Sequence, residues 1–214
     1  MERHLQKKYI VDLGMISFLI LFPHFVPLPF YSYSIICFLA IVVFLRRSGK
    51  RLSDIGLKKN RISLKIFIIG IITSLFWVAF MRWLFVPAIS SLFTIPKYTE
   101  YNFIKNNISN LIITVIAAWL VGGFYEEIVF RGFINSTFEK YLGSFWVCAF
   151  ATSFLFGIYH WQQGIFGVVA ATLGGLYWSL VYKYFGRNLW YPILSHAFFD
   201  TITLILIYFG LLGK

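Results

Sequence analysis

Negative charge is what this chain has least of: eight acidic residues in 214, namely Glu2, Asp12, Asp54, Glu100, Glu126, Glu127, Glu139 and Asp200. Charged residues of both signs make up 13% against 59% hydrophobic, with a mean hydropathy of +0.78, and that balance excludes a soluble domain. Cysteine is nearly absent. Cys37 and Cys148 both lie in apolar runs with no CxxC pair, so no disulfide framework is implied and both read as small packing residues. Also missing are the HExxH helix of zincins and site-2-type proteases, the GxGD of presenilin-type aspartyl enzymes and the GxSG of rhomboid-type serine nucleophiles. Ser195 precedes His196 but lacks that last setting. No Gly-rich loop precedes a helix, which leaves nucleotide chemistry unsupported.

What is present is apolar sequence in runs long enough to cross a bilayer. At about 20 residues per crossing, spans are predicted near 9–29, 31–45, 62–86, 109–138, 144–161, 165–182 and 188–210. The expected fold is an all-α, polytopic transmembrane helical bundle of about seven spans, with six or eight also compatible with the runs. The short second run and the prolines at 23, 27 and 29 also suit a re-entrant hairpin. Arg3, Lys7 and Lys8 precede the first run as in a signal peptide, but no small-x-small cleavage site follows, so a retained span is expected. No internal repeat is evident, and residues 1–214 read as a single membrane domain. Gly167, Ala171 and Gly175, spaced by four, predict close helix approach in the sixth span.

The net charge of +11 raises nucleic acid as a partner, but no aromatic-basic recognition module accompanies it. Membrane lipid is the better partner. Arg46, Arg47, Lys50, Arg51, Lys58, Lys59, Arg61 and Lys65 crowd one connection, which the positive-inside rule places in the cytoplasm beside anionic headgroups. On the seven-span model the basic residues of 1–8, 131–143 and 183–187 fall on that side too. Of the 19 Lys and Arg, only Arg82, Lys97, Lys105 and Lys214 fall elsewhere. The polar segment 87–107 is then the long connection on the opposite face, a lid over the site or a plain linker.

Three patterns carry polar groups into apolar spans: Glu126-Glu127-x-x-x-Arg131, Phe156-x-x-x-His160 and His196-x-x-x-Asp200. Each charge at that depth costs roughly 3 kcal/mol on insertion scales, so such groups persist where they do chemistry or transport. Residues four apart share a helix face, which lets Glu127 and Arg131 form an ion pair. Glu126, about 100° around an α-helix from Glu127, has no charged neighbour on its own face and is the freer carboxylate. It is the one suited to take a proton from water and hand it on. Measured from the turn near 139–143, Glu126 and His160 lie roughly 18 and 24 Å up adjacent helices, so they can meet. His196 is only about eight residues from the turn near 183–187 and needs Pro192 or a re-entrant start to reach the same level. Taken singly, each histidine also reads as an interhelical hydrogen-bond partner, and Asp200 as a partner for Arg131. His24, beside three prolines, and His4, in the basic tail, read as structural or solvated.

At these residues the chain resembles a known family. EEIVFRG, FGIYH and HAFFD are similar, in order, to the three signature motifs (EExxxR, FxxxH, HxxxN/D) of the CAAX-protease and bacteriocin-processing family, CPBP or Abi, which includes the type II CAAX prenyl endopeptidases. The resemblance covers about residues 110–205. It implies a helical-bundle intramembrane endopeptidase in which Glu126 and His160 activate a water and His196 and Asp200 bind the developing oxyanion, while Glu127, Arg131 and Phe156 shape the site. The prenyl endopeptidases usually carry Asn where this chain has Asp200. An ionised Asp only accepts, so it stabilises an oxyanion only when protonated, and otherwise orients His196 or binds a cation.

No metal is required on the glutamate reading. A zinc-dependent reading would draw its ligands from Glu126, His160, His196 and Asp200. The resemblance implies a peptide or protein substrate at the membrane, and, in a bacterial cell membrane, processing of a peptide precursor or self-immunity. Two other classes stay open on the residues alone: a non-catalytic immunity or scaffold protein, and a proton- or cation-coupled transporter. The depth and charge counts together put the site nearer the outer leaflet, whereas prenyl-type processing implies a cytoplasmic opening.

Overall fold

The computed structural model describes residues 2–26, 28–58, 62–95 and 97–212, and the regular elements among them are helical. Seven long helices follow the seven apolar runs. They are α1 (Glu2–Phe25), α2 (Ser32–Arg47), α3 (Leu64–Ile89), α4 (Ile108–Leu142), α5 (Phe145–Tyr159), α6 (Gly164–Tyr184) and α7 (Trp190–Tyr208). Five of these, α1, α3, α4, α6 and α7, are long and apolar enough to cross a membrane by length and composition. The other two, α2 with 16 residues and α5 with 15, are shorter than a full crossing. The chain is an all-α polytopic membrane protein. Its outward apolar side chains, such as Ile112, Ile113, Ile116 and Leu120 on α4, are more than half exposed, as a lipid-facing surface requires.

Connections are short where helices pair. Gly143, left-handed at φ 68°, ends α4 and lets α5 start two residues later, so the two helices run antiparallel as a tight hairpin. The first run ends earlier than the expected 9–29: α1 stops at Phe25, and a short turn at Pro29–Tyr31 leads into α2. Between α2 and α3 lies the basic connection, of which Lys59 and Arg61 fall outside the described residues. Its segment Ile55, Gly56 and Leu57 is buried, and the Gly56 carbonyl accepts the Leu189 amide at 3.0 Å. Asn188 and Leu189 are therefore buried as well, and α7 begins inside the protein instead of at its surface.

The core wraps around α4. Every residue from Tyr125 to Asn135 is buried, and Phe130, Phe133, Ile128 and Ile134 pack with Leu19 of α1, Cys37 and Ile41 of α2 and Phe156 of α5. The central stretch is not wound as an ordinary α-helix: Trp119–Glu126 and Ile128–Ile134 are π-helical. In π winding the amides bond five residues back, which widens the turn, so the expected angle of about 100° between Glu126 and Glu127 does not apply. Such insertions recur at functional sites.

Candidate active site

The α4–α5 hairpin sets polar residues opposite one another in successive turns. Nearest the connecting turn, Thr152 Oγ1 donates to Asn135 Oδ1 at 3.3 Å. One turn further the Arg131 guanidinium lies over the Phe156 ring, 4.4 Å from its centroid. A turn beyond that, His160 Nε2 comes to 3.9 Å from Glu126 Oε1.

His160 ends α5, and its Nδ1 lies 2.8 Å from the Phe156 carbonyl. A carbonyl only accepts, so Nδ1–H donates, and in the neutral ring Nε2 carries a bare lone pair. That lone pair and the Glu126 carboxylate are both acceptors, and 3.9 Å is too long for a direct hydrogen bond. A donor with two hydrogens, such as water, matches the pair.

His196 is held differently. Its Nδ1 donates to Glu127 Oε1 at 2.9 Å, the Trp178 indole lies flat on its ring at 3.7 Å and 17°, and Nε2 stands 3.8 Å from Asp200 Oδ2 one helical turn on. Glu127 Oε1 also meets Arg131 Nη1 at 3.2 Å. These groups are nearly dry, with Glu127 0%, Arg131 2%, His196 5% and Glu126 8% exposed. The deep start of α7 explains how His196 reaches this level without a re-entrant segment: the eight residues preceding it are already inside the bundle at Asn188.

The structure thus gathers Glu126, Glu127, Arg131, Phe156, His160, His196 and Asp200 in one place. His24 is not among them; its ring is edge-on to Tyr159 at 4.7 Å. The segment Thr99–Ile104 packs Ile104 against Leu111 of α4 and Leu204 and Ile207 of α7, the two helices that carry the acids. Burial pushes the Tyr101 hydroxyl there up to about 12, with the charges of Tyr31 and Asp200 adding to it.

Two contributors gave no signal in the sequence. Trp178 reads as any packing aromatic until its stacking on His196 is seen. Gly122 is tied to Asp200 only by the fold: a Cβ there would fall 2.5 Å from Asp200 Oδ2. Its neighbour Gly123 lets α7 approach, since a Cβ would meet that of Ala197 at 2.7 Å.

As a possible metal centre, the four zinc candidates stand as two separate pairs, Glu126 with His160 and His196 with Asp200. Among the described residues no three His, Cys, Asp or Glu side chains take up a metal-holding arrangement. The residues present do not fit a catalytic zinc, which needs three protein ligands on one ion.

Residues 108–202 match the model of the family described as Type II CAAX prenyl endopeptidase Rce1-like. No curated protein and no solved structure matches the chain.

Proposed function

Because residues 108–202 match the model of the Rce1-like type II CAAX prenyl endopeptidase family, we propose that this chain is an intramembrane endopeptidase of the CAAX-protease (CPBP) kind that hydrolyses a peptide bond of a membrane-associated peptide or protein with a Glu126/His160-activated water. The observation that carries this reading is the opposed pair of acceptors, Glu126 Oε1 and His160 Nε2, 3.9 Å apart beside the buried Glu127, Arg131 and His196. Water bridging them donates one hydrogen to each and turns a lone pair toward the substrate carbonyl.

Attack forms the C–O bond and transfers a water proton to Glu126, which later hands it to the departing amine. The negative charge that develops on the carbonyl oxygen falls to the other pair. Nε2 of His196 donates to it when that ring is protonated, and Asp200 donates only in its protonated form. Donors fixed in a dry cavity stabilise such an oxyanion by a few kcal/mol each. Glu127, Arg131 and Trp178 hold the His196 ring in place and do not touch the reacting atoms.

The test is cleavage of a co-expressed membrane-anchored precursor library by the intact protein and by Glu126→Gln. Loss of cleavage at equal expression supports the peptidase. Cleavage that survives the substitution, or Glu126-dependent cation flux in liposomes without any cleavage, overturns it.

A further inference from the structure

A buried site that consumes water needs a way for water to arrive, and α4 carries polar side chains at every fourth position away from it: Glu127, Arg131, Asn135 and Glu139. Three are buried, and the line ends at a surface recess of about 170 Å³ lined by Asn135, Glu139, Tyr182 and Arg187 together with Asp54 and Lys58. There Arg187 Nη1 donates to Glu139 Oε2 at 2.8 Å and Asn135 Nδ2 to Glu139 Oε1 at 3.0 Å. The neighbouring helices face the line in register. Thr152 and Phe156 on α5 stand opposite Asn135 and Arg131, while Trp178 and Tyr182 on α6, also four apart, face Arg131 and the recess.

Near its inner end the line holds polar atoms with no partner among the described residues: Glu127 Oε2, Arg131 Nη2 and Trp178 Nε1, while Arg131 Nη1 meets only Glu127 Oε1. Arg131 lies close to the Trp178 ring, with its guanidinium carbon 5.6 Å from the centroid. Buried donors and acceptors are almost always satisfied, by protein or by ordered water. A water makes about three hydrogen bonds and can both donate and accept, so it suits this mixture of a bare acceptor and bare donors. Dry packing would instead leave a carboxylate oxygen, a guanidinium nitrogen and an indole N–H without hydrogen bonds.

We propose that water reaches the catalytic pocket from the Glu139–Arg187 recess along this face of α4, with Asn135 and Thr152 as its narrowest polar step. The route spans 12 residues, at most about 18 Å. It adds a water path to the hydrolytic reading, but its existence does not depend on cleavage.

Radiolytic hydroxyl-radical footprinting of the intact protein in lipid nanodiscs reads the route directly, because radicals form where water sits. Phe156 and Phe133 have the same chemistry and are 2% and 1% exposed, but only Phe156 borders the line. Phe156 is expected to oxidise several-fold faster than Phe133, and Asn135→Leu to lower that ratio, because buried water sits only where polar partners hold it. Thr152→Val, which removes a hydroxyl at nearly constant volume, carries the same expectation if Asn135→Leu does not fold. Equal oxidation of Phe156 and Phe133 overturns the route. So does a Phe156 signal unchanged in the folded variants, which would mean that water comes in from the His160–Asp200 side. Since none of these signals is enzymatic, an inactive but hydrated protein would sink the peptidase reading and leave the route standing.

Discussion

Glu127 and His196, 69 residues apart in the chain, are joined by a 2.9 Å hydrogen bond from Nδ1 to Oε1, in a place where the carboxylate is wholly buried. Its neighbour Glu126 has no such bond among the described residues and faces His160 at 3.9 Å. Two adjacent glutamates therefore sit in different chemistry: one fixed in a network with Arg131, the other opposite an acceptor with room for a hydrogen-bond donor between them. The contrast sets distinct expectations for substituting each.

Glu126→Gln removes the proposed base while keeping the shape of the side chain. Peptide cleavage is expected to fall by about 10²–10⁴, the range general bases contribute. Expression and thermal unfolding in detergent should stay close to wild type, because Glu126 makes no hydrogen bond with the described residues that the amide would break. Retained kcat would overturn its role.

Glu127→Ala should do the opposite, damaging the fold first. It leaves Arg131 buried at 2% exposure without its carboxylate and His196 without its Nδ1 acceptor. Removing one partner of a buried pair costs about 3–5 kcal/mol, so a clear drop in Tm is expected. An unchanged Tm would show that the network contributes nothing to stability.

Gly122→Ala places a methyl 2.5 Å from Asp200 Oδ2, so the Asp200 carboxylate must turn away from its place beside His196. Activity should drop at least about tenfold, and the loss should shrink when Asp200→Ala is combined with it, since residues in contact couple by about 0.5–3 kcal/mol. Strictly additive losses in the double-mutant cycle would refute the contact.

Chelation tests the poor fit of these residues to zinc. With the zinc candidates split into two pairs, prolonged dialysis against a strong chelator is expected to leave cleavage unchanged. Loss of activity restored by zinc would require the site to close into a three-ligand centre on binding.

Topology can be read on Asn102, which is exposed in the segment between α3 and α4. The asymmetry of Lys and Arg predicts that a single cysteine there reacts with an impermeant maleimide in intact cells, whereas one at Ser53 does not. The reverse pattern would invert the bundle and put the Glu139–Arg187 recess outside.

The helices were legible in the chain because lipid leaves the backbone few options: uninterrupted apolar runs must satisfy their own hydrogen bonds. Six of the seven site positions could be singled out for a related reason. Ionisable groups are expensive in such runs, so Glu126, Glu127, Arg131, His160, His196 and Asp200 stand out without any structure. What could not be read locally is everything that depends on distant neighbours. The π winding of α4 breaks the α-helical wheel, and nothing near Trp119 or Ile134 announces it, because it accompanies packing on all sides.

The reach of His196 was underjudged for the same reason. Counting residues from the α6–α7 turn assumes that the turn lies at the membrane surface, but the 51–58 segment folds over it and starts α7 inside. Trp178 and Gly122 were invisible because an indole and a hydrogen gain their meaning only from what they touch. Sequence alone determined which side chains must be hidden from lipid, since transfer energy belongs to each residue separately. Tertiary structure decided which nitrogen meets which oxygen, because contacts between helices far apart in the chain depend on how the whole bundle packs.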